Sequence, residues 1–187
     1  MTAEEAEGTA EAEGAEGAED AEGGGGCVAC ALAAGTRPLP GGTLLRTAHW
    51  TVEHCVGPLG TGTLIVKPLR HITGVHEMSA GESAELGPLL TRVTSALRTA
   101  VGDECEQVYV CLWSHAGRVP GHIHFVVQPA RTSDIDRHGD TYGPALQMAM
   151  FAEGAELEPG AVEEFCGLMR RVLDEDSAIQ VGACANC

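Results

Sequence analysis

The sequence predicts an α+β domain in which a five-stranded, mainly antiparallel sheet packs with two helices. Two observations indicate this fold class. Five short runs rich in β-branched and aromatic residues are separated by turn-forming glycines and prolines, as expected of strands. Two longer segments place apolar residues at helical spacing, one between the third and fourth runs and one after the fifth. Several strands with two segregated helices are typical of α+β domains.

The predicted strands are bounded by turn residues on both sides. Little more than a turn separates the first two, and the third is a compact β-branched run that follows a glycine-rich turn and ends before a proline. The five strands are Thr43–Thr47, Trp50–Cys55, Thr63–Lys67, Gln107–Trp113 and Ile123–Gln128.

The clearest helix signal lies between the third and fourth strands. Ser79 and Glu82 form a capping box, and the apolar residues that follow share one helical face. Gly102 is a suitable stop. Because Pro88 would cost about 3 kcal/mol in a regular helix, we expect a kink or a break there.

The second helix is predicted to start after Pro159 and to continue through Leu173. It is the last element of a domain that we place at residues 27–180. Residues 181–187 then form a short tail with Cys184 and Cys187, a pair that we interpret as exposed thiols in preference to a second metal or redox site.

The first 26 residues differ in composition from the rest of the chain. They repeat Ala, Glu and Gly, hold nine of the 27 acidic residues and contain no Lys or Arg. With alanines and Met1 as its apolar residues, this segment cannot offset the entropy cost of ordering, so we expect a disordered acidic tail.

Charge and hydropathy exclude several classes of function. The net charge is −16, and removing the tail leaves 18 acidic against 11 basic residues, a net charge of −7. A domain with this negative charge lacks the positively charged surface that binds long nucleic acid. No apolar run approaches the roughly 20 residues of a membrane span, and no secretory signal opens the chain. We therefore expect a cytoplasmic protein whose eight cysteines are thiols or metal ligands.

Two histidines follow a glycine-rich turn in VPGHIHFVVQP, residues 119–129. On a strand, His122 and His124 would project to the same face. An HxH pair of this kind is compatible with a metal half-site, with a nucleophile beside an orienting neighbour, or with chance.

A second cluster of metal-ligand type is the pair Cys27 and Cys30. Two cysteines at this spacing can bind one metal ion, although free thiols are the usual alternative. With His71, just after the third strand, and His122, they make a closed tetrahedral set that suits Zn²⁺ in a structural role.

Three segments together resemble the zinc-containing branch of the histidine-triad (HIT) family. CVACALAAG at 27–35 is similar to the opening of those proteins, and GTLIVKPLRHI at 62–72 to their GHTLVIPKxHI strand. HIHFVVQP at 122–129 resembles the signature H-x-H-x-H-x-x with a proline soon after. The blocks occur in family order over roughly residues 27–131, which implies a HIT-like fold.

The resemblance implies a mechanism and a ligand set. The middle signature histidine, His124, would attack the α-phosphate of a nucleoside phosphate derivative and form a nucleotidyl-histidine intermediate. Cys27, Cys30, His71 and His122 would hold a structural zinc. The substrate class would be a dinucleoside polyphosphate or a nucleoside phosphoramidate with a purine base. A homodimer is also expected, as in the best-known branch of the family.

Contacts to the nucleotide are expected from a second group of residues. Backbone donors around Gly117 would bind phosphate oxygens. Arg118 is compatible with countering their charge or with a surface arginine that has no function, and His115 with a nucleotide-contacting loop or with a loop that makes no contact. Glu53 and its neighbour His54 are nearest to the acidic residue that binds the ribose hydroxyls in the family.

The chain departs from the family pattern at several positions. Val126 replaces the third signature histidine, and the family's Gly-His-Thr before the central strand is Thr61-Gly62-Thr63 here. The GQS that precedes the signature in the family is Gly117-Arg118-Val119, so its serine hydroxyl is missing. An alternative reading is therefore a catalytically weak or inactive nucleotide-binding regulatory protein that retains the zinc. A third hypothesis is a zinc-stabilised scaffold that binds no nucleotide, but it would leave His124 without a role.

Overall fold

The computed structural model describes the backbone of residues 26–113 and 121–184 and the side chains as far as residue 176. Single turns of 3-10 helix lie at Val75–Glu77 and Gly102–Glu104. The main elements in chain order are α1 (Val28–Ala33), β1 (Thr43–Arg46), β2 (Trp50–His54), β3 (Leu64–Pro68), α2 (Ala80–Val101), β4 (Cys105–Leu112), β5 (Phe125–Arg131), α3 (Thr132–Arg137), α4 (Pro144–Glu153) and α5 (Pro159–Cys184).

The five strands form one sheet in the order β1-β2-β3-β5-β4, and every neighbouring pair is antiparallel. The predicted fold class is confirmed. The last strand begins two residues later than predicted, at Phe125. Gly121 has a positive φ of 63°, and Ile123 donates its N–H to the Ile72 carbonyl, beyond the end of β3. The two signature histidines therefore lie just before the strand.

Helix α2 has the predicted ends. The Ser79 hydroxyl accepts a hydrogen bond from the Glu82 amide, the Glu82 carboxylate accepts one from the Ser79 amide, and Gly102 ends the helix with φ 71°. Of the predicted kink or break at Pro88, the break is wrong, because the helix continues across it. Pro88 and Ala84 are both exposed, so the Ala84 carbonyl that lacks a helical donor can face water.

The two faces of the sheet differ in what covers them. Strand alternation points the apolar side chains of β2, β3 and β5 toward α2 and α5, where they form the main core. Its fully buried members include Trp50, Leu64 and Leu97. The opposite face, here called the cavity face, carries Glu53, Ile65, Lys67, Val126 and Gln128.

Three short helices were not predicted. Helix α1 is an almost uniformly apolar hexapeptide, and α3 and α4 connect β5 to α5. Helix α4 packs Leu146 and Met150 against Ala130 and Ile135 in a separate small core. None of the described helices is both long enough and apolar enough to span a membrane.

Candidate active site and metal centre

Four predicted ligands converge in space. The donor atoms of Cys27, Cys30, His71 and His122 all lie within 4.8 Å of one another. The Cys30 sulfur is 3.3 Å from His71 Nδ1 and 3.4 Å from His122 Nδ1, and the Cys27 sulfur is 3.7 Å from His122 Nδ1. In a tetrahedral zinc site, Zn–S bonds of about 2.3 Å and Zn–N bonds of about 2.0–2.1 Å separate S and N by about 3.6 Å. The donor set therefore fits a zinc ion.

Local structure explains why these residues meet. Cys27 precedes the first residue of α1 and Cys30 lies in its first turn, so the two thiols share one side of the helix. His71 follows the end of β3, and His122 precedes β5, which pairs with β3. The cluster thus ties the N-terminal helix to two neighbouring strands.

His122 is oriented by a hydrogen bond outside the cluster. It is completely buried, and its Nε2 lies 3.0 Å from the Pro68 carbonyl oxygen. Because a carbonyl can only accept, Nε2 carries the hydrogen and Nδ1 presents its lone pair to the thiols. Burial lowers the pKa of His122 to about 4, so the ring is neutral, as metal ligation requires.

His124 is also oriented by a backbone carbonyl, but it lines a cavity and is not part of the metal cluster. Its Nδ1 is 3.1 Å from the His122 carbonyl oxygen, so Nδ1 carries the hydrogen and Nε2 the lone pair. Burial lowers the pKa of His124, and the positive charge of Lys67 lowers it further. The ring is therefore a neutral, oriented nucleophile at neutral pH.

His124 lines a cavity of about 330 Å³ between α1, the cavity face of the sheet and α4. The walls are mainly apolar, and Trp113 meets Phe151 edge to face at a centroid separation of 5.9 Å. A pocket with apolar walls and a few polar groups is typical of small-molecule sites. Among its lining residues are Ala29, Leu32, Cys55, Leu59, Ile65 and Val126.

A buried ion pair lies in the floor of this cavity. Lys67 Nζ contacts Glu53 Oε1, and the two side chains are 1% and 3% exposed. The other carboxylate oxygen, Glu53 Oε2, is buried without a hydrogen-bond partner among the described residues. Burial raises the pKa of Glu53, and the contact with Lys67 opposes that shift.

Glu53 and its neighbour His54 both line the cavity, but their polar atoms differ in their partners. Glu53 Oε2 has no hydrogen-bond partner among the described residues. His54 Nδ1 lies 2.7 Å from the Cys55 carbonyl oxygen, and the Gly62 amide donates to His54 Nε2 at 2.8 Å. Both ring nitrogens are occupied, so His54 fastens the β2–β3 loop.

The remaining predicted contacts, His115, Gly117 and Arg118, lie outside the described residues. Sequence reasoning missed Lys67, Trp113 and Phe151 as lining residues of the cavity. The signal for Lys67 was a charged residue at an inward position of a β-branched strand. Phe151 belongs to a helix that was not predicted.

No protein-family model matches the sequence, and no curated protein matches it. Solved structures are similar in fold. A Zn-bound histidine triad family protein from Mycobacterium smegmatis has a TM-score of 0.60 at 21% identity, over 81% of this chain and 96% of that one. A hypothetical histidine triad nucleotide-binding protein from Sulfolobus tokodaii has a TM-score of 0.60 at 16% identity, over 80% and 93%.

A third solved structure supports the same fold. A Hit-like protein involved in cell-cycle regulation from Bartonella henselae has a TM-score of 0.60 at 13% identity, over 78% of this chain and 95% of that one. The three matches cover most of the described residues, and the sheet order and antiparallel pairing agree with the predicted class. The chain therefore has the histidine-triad fold.

Proposed function

We propose that this chain is a zinc-containing histidine-triad protein that acts as a nucleotidyl hydrolase or transferase on purine nucleotide derivatives. The observation that carries the proposal is the state of His124. Its Nδ1 is tied to the His122 carbonyl, and Nε2, which carries the lone pair, has no hydrogen-bond partner within residues 26–113 and 121–176, in a chain segment that lines the cavity. A packed core histidine would have both nitrogens occupied, as His54 has.

The proposed reaction has two displacements at phosphorus. His124 Nε2 forms a bond to the α-phosphorus while the bond to the leaving group breaks, and the leaving group departs with the electron pair and takes up a proton. A water molecule or a phosphorylated acceptor then forms a P–O bond. The P–N bond breaks, the electron pair returns to Nε2, and the acceptor proton is released to solvent.

The structural zinc would be held by Cys27, Cys30, His71 and His122. With four protein donors such a site is closed, and its contribution is folding stability. The neutral state and fixed tautomer of His122 support this assignment.

The cavity suits a nucleoside with its phosphate at His124. Trp113 and Phe151 offer apolar surface for a base. Glu53 Oε2, buried and unpartnered among the described residues, is a free acceptor for a ligand hydroxyl or amino group. Gly117, Arg118 and His115 would supply further ligand contacts.

A second candidate function is nucleotide binding without turnover. The observation that favours it is the environment of Val126, which is 1% exposed and packs with Cys55 and Leu59. At the place of the third signature imidazole, the chain has an apolar side chain that cannot donate to a leaving group. We therefore expect slow turnover from the enzyme.

We also propose a cytoplasmic homodimer, formed along the edge strand β4. This strand is at one end of the sheet, and it exposes Val110 and Leu112 at 40% and 44%. An apolar edge strand is a template for pairing with a second copy. Sedimentation velocity measures the oligomeric state. We expect a dimer for the full wild-type chain and a monomer for Leu112→Lys.

Rapid quench with a radiolabelled nucleoside phosphoramidate tests the catalytic proposal. We expect an acid-labile adduct that maps to His124, and loss of the adduct and of turnover in His124→Ala with the zinc content unchanged. His76→Ala is the matched control, because the His76 side chain is 86% exposed. An adduct on another residue, or a His124→Ala variant that keeps its rate, would remove the mechanism. Nucleotide binding without any adduct would favour the second function.

A further inference from the structure

Lys67 is a buried cation with no role in the chemistry proposed above. Its side chain is 1% exposed, and it lies in the cavity floor together with His124. Its ammonium group has three N–H donors, and the described residues account for one acceptor, Glu53 Oε1. The other two donors are available to a ligand.

Strand register places Lys67 beside His124. In the β3–β5 pair, Ile65 is opposite Val126 and Val66 is opposite Phe125. His124 directly precedes Phe125 and Lys67 directly follows Val66, so the two residues come close together at the end of this ladder, and both line the cavity. The two side chains therefore approach the same part of the cavity.

Stability does not explain this ion pair. Removing two charges from water costs more than their attraction returns in many proteins, and an apolar pair of similar volume is often more stable. An unpartnered oxygen remains on Glu53 within the described residues, so the pair is not optimised as a structural contact.

We propose that Lys67 provides the positive charge of an anion subsite that binds the reacting phosphate group beside His124. The inference rests on the proposed function. With Val126 in place of an imidazole, the donors for phosphate oxygens would come from the neighbouring strand. Glu53 positions the Lys67 ammonium group. The remaining N–H groups of that ammonium donate hydrogen bonds to the phosphate oxygens. Because the Lys67 side chain is 1% exposed, one charge-assisted hydrogen bond from it has a large effect on phosphate binding.

The test compares variants that differ in the lysine charge alone. Replacing Lys67 by itself would leave the Glu53 carboxylate buried without a donor, whereas glutamine at position 53 keeps an oxygen that can accept from Lys67. The pair to compare is therefore Glu53→Gln and Glu53→Gln/Lys67→Met. Glu53→Gln/Lys67→Leu is a second neutral variant in case the first does not fold. Calorimetry measures Kd for AMP and adenosine, and for GMP and guanosine, and ³¹P NMR measures Kd for inorganic phosphate.

The expected result is a change in the ratio of nucleoside Kd to monophosphate Kd. We expect wild type and Glu53→Gln to prefer the monophosphate about tenfold or more, the range of one charge-assisted hydrogen bond. The neutral double variants should bind nucleoside and monophosphate within about twofold of each other. A merely structural Lys67 would change both affinities together and leave this ratio unaltered.

A phosphate preference that persists in the double variants would overturn the proposal, and so would a wild type that binds neither phosphate nor monophosphate. Nucleoside binding with no added affinity from the phosphate would also overturn the Lys67 subsite, while the proposal that the cavity binds nucleotides would stand. Lys67-dependent binding of inorganic phosphate without purine binding would support the anion subsite and remove the proposed substrate class.

Discussion

Loss of one metal ligand should lower zinc content and stability together. Cys30 is the informative position because its sulfur lies near both histidines, 41 and 92 residues away along the chain. If the link to His71 restrains the unfolded chain as a covalent cross-link does, closing a 41-residue loop contributes about 4 kcal/mol. For a domain of this size, about 1 kcal/mol changes Tm by roughly 2–4 °C. Cys30→Ser should therefore lose its zinc and melt about 10 °C lower.

Elemental analysis and calorimetry on protein purified without added metal measure both quantities. The matched control is Cys111→Ser, since Cys111 lies outside the cluster and a serine hydroxyl can replace its hydrogen bond to Gln147. The control should keep one zinc per chain and a Tm within about 2 °C of wild type. Zinc retained in Cys30→Ser, or a wild-type Tm that is unaffected by a chelator, would refute the reasoning.

Two further predictions concern the frame around the site. His54→Ala leaves the Gly62 N–H and the Cys55 carbonyl without their buried partner, so urea unfolding should show a loss of about 2–4 kcal/mol with zinc content unchanged. A loss no larger than that of the exposed-histidine control His76→Ala would contradict this. The pKa of Glu82 is lowered to about 2, chiefly by its hydrogen bond from Arg70. A lowered folded-state pKa stabilises above the unfolded value of about 4.3, and that stabilisation is lost as pH falls toward 2. The stability difference between wild type and Glu82→Gln should therefore shrink over that range, and a constant difference would refute the assignment.

The sequence was sufficient for the features that depend on local pattern. The capping box at Ser79 and the stop at Gly102 are confirmed, since a cap is formed by residues three positions apart. The metal cluster was predictable because Cys27 and Cys30 lie one helical turn apart and both histidines flank strands that could be recognised.

Features that depend on register and tertiary partners could not be predicted. The contact between Glu53 and Lys67 requires the alignment of β2 with β3, which the strand pattern alone leaves open. The later start of β5 depends on the hydrogen bond from Ile123 to Ile72. Helix α1 is too short and too uniformly apolar to show a helical period.

His122 connects the metal centre to the proposed nucleophile. Its ring faces the thiols of the cluster, and its carbonyl oxygen accepts the hydrogen bond from His124 Nδ1. Fixing the ring therefore also fixes the acceptor that selects the His124 tautomer.

Chelation should release this restraint before it unfolds the domain. In the zinc-loaded protein we expect one His124 tautomer, with hydrogen on Nδ1 and the lone pair on Nε2. After treatment with a chelator, below the temperature at which the metal-free protein melts, both tautomers should be populated, because the His122 carbonyl is no longer held. ¹⁵N NMR of the imidazole nitrogens distinguishes the two forms, and exposed His76 should show no change. A His124 spectrum that is identical with and without metal would mean that β5 packing alone orients the ring, and that the zinc contributes stability without orienting His124.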